Sequence, residues 1–174
     1  MLFAKYISTI RNWLTTIQRH HALEHATIHM ITKHYPRTRV AGRSDNKGFY
    51  LYTDLPISVV EKAVNEGLQR LHSGQHSLAI HPNCGTNILT TGILTASAAF
   101  LVLSANSEED SWCQKLDRLT TAILAATFAA IVAKPLGTSV QRHITTRADV
   151  STIEGFSIKA INSGRHSLYR VRTH

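Results

Sequence analysis

Ile88-Leu-Thr-Thr-Gly-Ile-Leu-Thr-Ala-Ser-Ala-Ala-Phe-Leu-Val-Leu-Ser-Ala105 is a run of eighteen residues without a charge, and a second uncharged run, Leu119 to Val132, follows after a short acidic link. Eighteen apolar or small residues reach the lower limit for a helix that crosses a bilayer. The second run attains full length by continuing through Lys134 and Pro135 to Val140, with the Lys134 ammonium snorkelling to the interface. Both runs are rich in Ala, Thr, Ser and Gly, which suits close packing of two helices in lipid. The reading is a transmembrane helical hairpin; the alternative is a pair of buried helices in a soluble α-bundle.

Charge is segregated around these runs. Residues 1–87 carry ten Lys/Arg against five Asp/Glu, residues 104–118 carry two against four, and residues 134–174 carry seven against two. Excess Lys and Arg on both outer segments places them, and both termini, on the cytoplasmic side, with the acidic link outside. The net charge of +8 is dispersed, without an aromatic-basic platform, so anionic lipid headgroups are expected partners and nucleic acid is not. No signal peptide is expected, because Lys5, Arg11 and Arg19 are interspersed through an amphipathic N-terminal pattern. That stretch lies either along the membrane surface, with Tyr6 and Trp13 at headgroup level, or in the core as a first helix. Cys84 and Cys113 fall on opposite sides of the hairpin's first crossing, so no disulfide between them is expected.

Elsewhere the pattern is that of a small α+β domain. A helix is predicted from Leu2 to His34, uninterrupted by Gly or Pro and ended by Pro36. Val40 to Thr53 reads as a β-hairpin around Ser-Asp-Asn-Lys-Gly. A second helix follows Pro56, with Ser58 and Glu61 as a capping box and Val59, Val60, Ala63, Val64, Leu68 and Leu71 on its apolar side. Gly74 closes it, and His76 to His81 reads as a short strand ended by Pro82. Thr152 to Ile161 and Ser167 to Arg172 read as a last hairpin around Asn162-Ser-Gly. The fold class is therefore a small cytoplasmic α+β domain interrupted by a two-helix transmembrane hairpin: residues 1–87, then 88–140, then a C-terminal β-hairpin over 141–174 that returns to the same sheet.

Within the first helix, His21-Ala-Leu-Glu24-His25 places two imidazoles one turn apart with a carboxylate on their shared edge. The apolar series Phe3, Ile7, Ile10, Leu14, Ile17 runs into His21, then Glu24 or His25, then Ile28, so these polar groups continue a stripe that faces the interior. The alternative is a set of surface histidines with Glu24 solvated or paired to Arg19. A second segment, His81-Pro-Asn-Cys84-Gly-Thr, sits at the mouth of the first apolar helix, where the helix dipole favours a thiolate. His21, His25, His81 and Cys84 are the candidate metal ligands, with zinc preferred on donor type and other divalent transition metals open. With three of them bound, a position remains for water and Glu24 becomes the candidate catalytic base; with four, the site is closed and structural. His29, one turn beyond His25, is either an extra ligand or a helix-face residue. A metal-free reaction using the Cys84 thiol and His25 is a further option. His20, His34, His72, His76, His143, His166 and His174 are taken as surface or packing residues.

His-x-x-Glu-His resembles the inverse-zincin peptidase motif, on His21, Glu24 and His25 alone. The usual third ligand there is a downstream glutamate, and Glu61 and Glu66 lie on the second helix. Paired with His-Pro-x-Cys-Gly-Thr leading into apolar helices, it looks like the bacterial membrane proteins of the YqhQ type. More closely, His21-Ala-Leu-Glu-His-Ala-Thr-Ile-His, Ala41-Gly-Arg-Ser-Asp and His81-Pro-Asn-Cys-Gly-Thr-Asn resemble a domain family of unknown function from cyanobacteria and Chloroflexi. The resemblance covers most of the chain and implies a bacterial inner or thylakoid membrane protein with a metal site, and no particular reaction. The functional expectation is a membrane-anchored zinc-dependent hydrolase of peptide, amide or ester bonds. The alternative is a non-catalytic accessory or assembly subunit of a larger membrane complex, with a structural metal.

Overall fold

The computed structural model of the chain describes residues 2–105, 111–162 and 167–174, with side chains from Lys5 onward. The chain divides into two compact units, residues 1–81 with 142–174 and residues 82–141. The first unit is mixed α+β: helix α1 (Leu2–His34), strands β1 (Val40–Asp45) and β2 (Gly48–Thr53), helix α2 (Ile57–His72), a 3-10 turn (His76–Ala79), and strands β3 (Phe156–Asn162) and β4 (Ser167–Thr173). Its four strands form one antiparallel sheet in the order β1-β2-β4-β3, so the C-terminal hairpin inserts β4 beside β2. The Ser163-Gly164 part of the expected last turn lies outside the described residues.

Alternation sets the two faces of the sheet. Phe49, Leu51 and Thr53 of β2 and Tyr169 and Val171 of β4 point inward, where Leu23, Ala26 and Ile31 of α1 and Val60, Val64, Leu68 and Leu71 of α2 cover them. Each fully buried Leu or Phe contributes about 1.5–3 kcal/mol. The Tyr169 hydroxyl reaches the Leu55 carbonyl at 2.9 Å and ties β4 to the start of α2. Gly48 opens β2 at φ +135°, and a Cβ there would strike the Val171 carbonyl, so only glycine lets β4 pair at this end.

Four expectations are corrected. His76–Ala79 is a 3-10 turn and not a strand: His25 and His29 engage the Ala79 and Ile80 carbonyls, so no sheet neighbour takes them. The Ser58/Glu61 capping box does not form. Pro56 is the cap of α2, which puts Ser58 inside the first turn, two places too late to cap. The third concerns α1, whose core role begins near His20; Tyr6, Ile7, Ile10, Trp13 and Leu14 are all at least 41% exposed, so the first half of the helix packs into no core of this unit. β3 also begins at Phe156, four residues after Thr152, because Ser151 and Thr152 turn around Asp149.

The second unit is a pair of helices, α3 (Gly85–Leu103) and α4 (Trp112–Val140), both long and apolar enough to cross a membrane. None of the residues of α3 is buried, and Ile88, Phe100, Ile123, Phe128 and Ile131 stand open. Gly137 of α4 admits Asn87 of α3 against its backbone, and Gln141 donates to Asn87 Oδ1 at 2.6 Å. Ser111 and Gln114 form a capping box at the start of α4.

Candidate metal centre

The second half of α1 carries the chemistry because it is the half that is buried. His25 is 2% exposed and Glu24 4%, while His21, at the margin of the core, is half-buried. Four residues of helix bring the rings of His21 and His25 to 4.3 Å between centroids, and one nitrogen from each lies within 4.8 Å of the other. Each ring is held from behind. His25 Nδ1 donates to the Ala79 carbonyl at 2.6 Å and His21 Nδ1 donates to the Thr145 carbonyl at 2.8 Å. A carbonyl only accepts, so Nδ1 carries a proton in both rings, and the tautomer this selects has its lone pair on Nε2. That arrangement is the one found behind metal-ligating histidines, where a carbonyl fixes tautomer and ring direction.

His81 enters the same cluster from beyond the 3-10 turn, with its ring 5.8 Å from that of His25 and 4.8 Å from that of His29. Burial first, then the neighbouring His29 and His25, push its pKa down to about 4, so it is neutral at pH 7. His29 differs from His21 and His25: it donates through Nε2, to the Ile80 carbonyl at 2.8 Å. Sequence spacing offered the signal for His29, since His21, His25 and His29 are successive i, i+4 positions.

Glu24 shares the helix edge but meets a different element. Ser44 of β1 donates to its carboxylate, and Gly42 of the same strand lies so close that a Cβ there would come within 2.6 Å of Glu24 Cδ and 2.7 Å of Cγ. The carboxylate therefore faces the sheet, whereas His21 and His25 are fastened to the Thr145 and Ala79 carbonyls. Arg19 is not its partner: that guanidinium bonds Asp149, with Nε to the carbonyl at 2.9 Å and Nη2 to the carboxylate at 3.2 Å. Glu66 of α2 is engaged by Arg70 and His34 on the surface, away from the cluster's anchors.

Cys84 is the N-cap of α3, a buried thiol whose Sγ accepts from the Thr86 amide at 3.4 Å. Only Pro82 and Asn83 separate it from His81, so the covalent chain keeps its Cα within about 11 Å of that of His81. Cys113 is exposed at the start of α4.

His20, taken from the sequence as a packing residue, is a buried hub. Its Nδ1 donates to the Asp45 carbonyl at 2.7 Å and Thr173 donates to its Nε2 at 2.7 Å, linking α1 to β1 and β4. Burial lowers its pKa, so this linkage is built on a neutral ring. No feature of the local sequence marks it, because both partners come from distant strands.

A family described as "Domain of unknown function (DUF6391)" matches residues 16–159. An uncharacterized protein of the cyanobacterium Picosynechococcus sp. (strain PCC 7002) is 37% identical over 145 residues, covering 76% of this chain and 67% of the relative. No solved structure matches.

Proposed function

The chain belongs to the DUF6391 family, and for it we propose a membrane-associated metal-binding protein in which His21 and His25 hold a divalent transition metal, with Cys84 and His81 as the further ligands that the sequence offers. One observation carries the reading: the two imidazoles one turn apart are each fixed by an Nδ1–H bond to a backbone carbonyl, leaving paired Nε2 donors. Two nitrogens and a thiolate are a donor set that zinc prefers.

The membrane part of the proposal rests on α3 and α4, whose apolar side chains are open along both helices. Because β2 and β4 pair in one sheet, the segments before and after the hairpin lie on one side of any membrane it crosses. The Lys/Arg excess on both makes that side cytoplasmic in a bacterial inner or thylakoid membrane.

For the role of the metal we propose a structural clasp within an accessory or assembly subunit. Glu24 supports this, since Ser44 and Gly42 receive its carboxylate on the sheet side. A zinc-dependent hydrolase of peptide, amide or ester bonds is the second reading, favoured by the His-x-x-Glu-His order that puts a buried carboxylate on the same helix edge.

The test is metal analysis of the full chain purified in detergent, beside His25→Ala and Cys84→Ser. The proposal expects close to one divalent ion per chain, lost in both variants. It also expects chelation to lower the melting temperature by roughly 5–10 °C, as for removal of a ligand present at about a hundredfold its Kd. A chain that carries no such ion and does not respond to added zinc refutes it. Glu24→Gln separates the roles: metal retained with unchanged properties supports the clasp, metal retained with loss of a hydrolytic activity supports the hydrolase.

A further inference from the structure

The outer face of the sheet carries a second feature, independent of the metal centre. Register places Arg43, Tyr50, Arg170 and Lys159 in one row across β1, β2, β4 and β3, and Arg172 with Ser157 in the adjacent row. Like charges directly opposite each other on paired strands, as Arg170 and Lys159 are, repel and are a net cost to the sheet unless an anion lies between them. Among the described residues, the acidic group against this row is Asp45, and it is committed to one edge of Arg170 through Nη2 at 2.8 Å.

Arg170 is the centre of the arrangement. Its side chain is only 9% exposed and its guanidinium stacks on Tyr50, 4.3 Å from the ring centroid. Its Nη1 is buried and has no hydrogen-bond partner. A buried guanidinium donor left without an acceptor costs about 1–3 kcal/mol or more. The same guanidinium lines a cleft of 510 Å³ along edge strand β3, together with Tyr50, Ser157, Lys159 and Arg172. Lys159 and Arg172 are exposed there, and neither meets an acidic partner among the described residues.

We propose that this cleft binds a phosphate group, either of a soluble phosphoester or of an anionic lipid headgroup. A tetrahedral oxyanion supplies the acceptor that Arg170 Nη1 lacks, sits between the opposed cations of β4 and β3, and takes a hydroxyl bond from Ser157. Tyr50 holds the guanidinium plane in place, so little side-chain freedom is lost on binding.

The test uses the full chain in zwitterionic detergent, titrated calorimetrically with inorganic phosphate and pyrophosphate, and separately reconstituted in micelles doped with phosphatidic acid. Lys159→Ala/Arg172→Ala is the diagnostic variant because both residues are exposed; an unchanged melting temperature certifies its fold. Saturable phosphate or pyrophosphate binding that weakens about tenfold or more in the variant supports the proposal with a soluble ligand. A response confined to phosphatidic acid micelles, and lost in the variant, supports it with a lipid headgroup. No saturable response in any arm, or a response of equal strength in the folded variant, overturns it.

Discussion

Gly42→Ala asks whether Glu24 is fixed against β1. The new Cβ would come within 2.6 Å of Glu24 Cδ and 2.7 Å of Cγ, so the buried carboxylate has to leave its place beside Ser44. A hydrogen bond to a charged group contributes about 1.5–3 kcal/mol. Against this, replacing glycine by alanine in a strand gains about 0.5–1 kcal/mol of backbone entropy. The net expectation is a loss of about 1–2 kcal/mol, or roughly 2–8 °C in melting temperature for a chain of this size. The clash vanishes once the carboxylate is removed, so in a Glu24→Ala background the same substitution becomes neutral or slightly stabilising. Thermal melts of the wild type, both single variants and the double variant complete the cycle. Equal cost of Gly42→Ala in both backgrounds would refute the placement of Glu24, and with it the assignment of that carboxylate to the sheet.

Acid should weaken the first unit from about pH 6.5 downward, through a buried histidine. With His81 held at about 4 in the fold and near 6.5 when unfolded, the unfolded chain takes up the proton first as pH falls. Stability from this group is thus present above pH 6.5 and declines by up to about 3 kcal/mol towards pH 4. His20, also lowered by burial, adds in the same direction. Denaturant melts of the metal-free protein between pH 7.5 and 4.5 check this; His81→Gln should flatten the slope, and a pH-independent wild type would contradict it. In the second unit, Gly137→Val should separate α3 from α4, because a Cβ there already lies 3.1 Å from the Asn87 backbone and 2.6 Å from its Oδ1. Cysteine crosslinking between the two helices should fall sharply in that variant, whereas unchanged crosslinking would show that Asn87 does not pack there.

What could be read from the residues was what depends on neighbours in sequence. Pro36 ended α1, Ser-Asp-Asn-Lys-Gly turned the first hairpin, and the spacing of His21 and His25 set the imidazole pair, each a matter of four or five residues. What depends on distant partners was not legible. His76–Ala79 is too short for periodicity to choose between strand and turn, and it was decided by two histidines more than fifty residues earlier. Glu24 shows the same limit on a smaller scale: helical spacing gave its edge but not its partner, which came from β1. The row of basic side chains on the sheet was invisible as a cluster, since Arg43, Lys159 and Arg170 converge only when β4 inserts beside β2.

That insertion also imposes a schedule. Tyr169 and Leu55 are bonded across 114 residues of chain, and a ribosome adding about 5–20 residues per second takes roughly 6–23 s to cover that interval. Throughout it Phe49 and Leu51 wait on a half-built sheet, while the most apolar part of the polypeptide emerges ahead of the strand that will complete it. Under the membrane proposal, prompt insertion of α3 and α4 is therefore a condition for the nascent N-terminal half to escape aggregation, and slowing it should send that half first to proteases and chaperones.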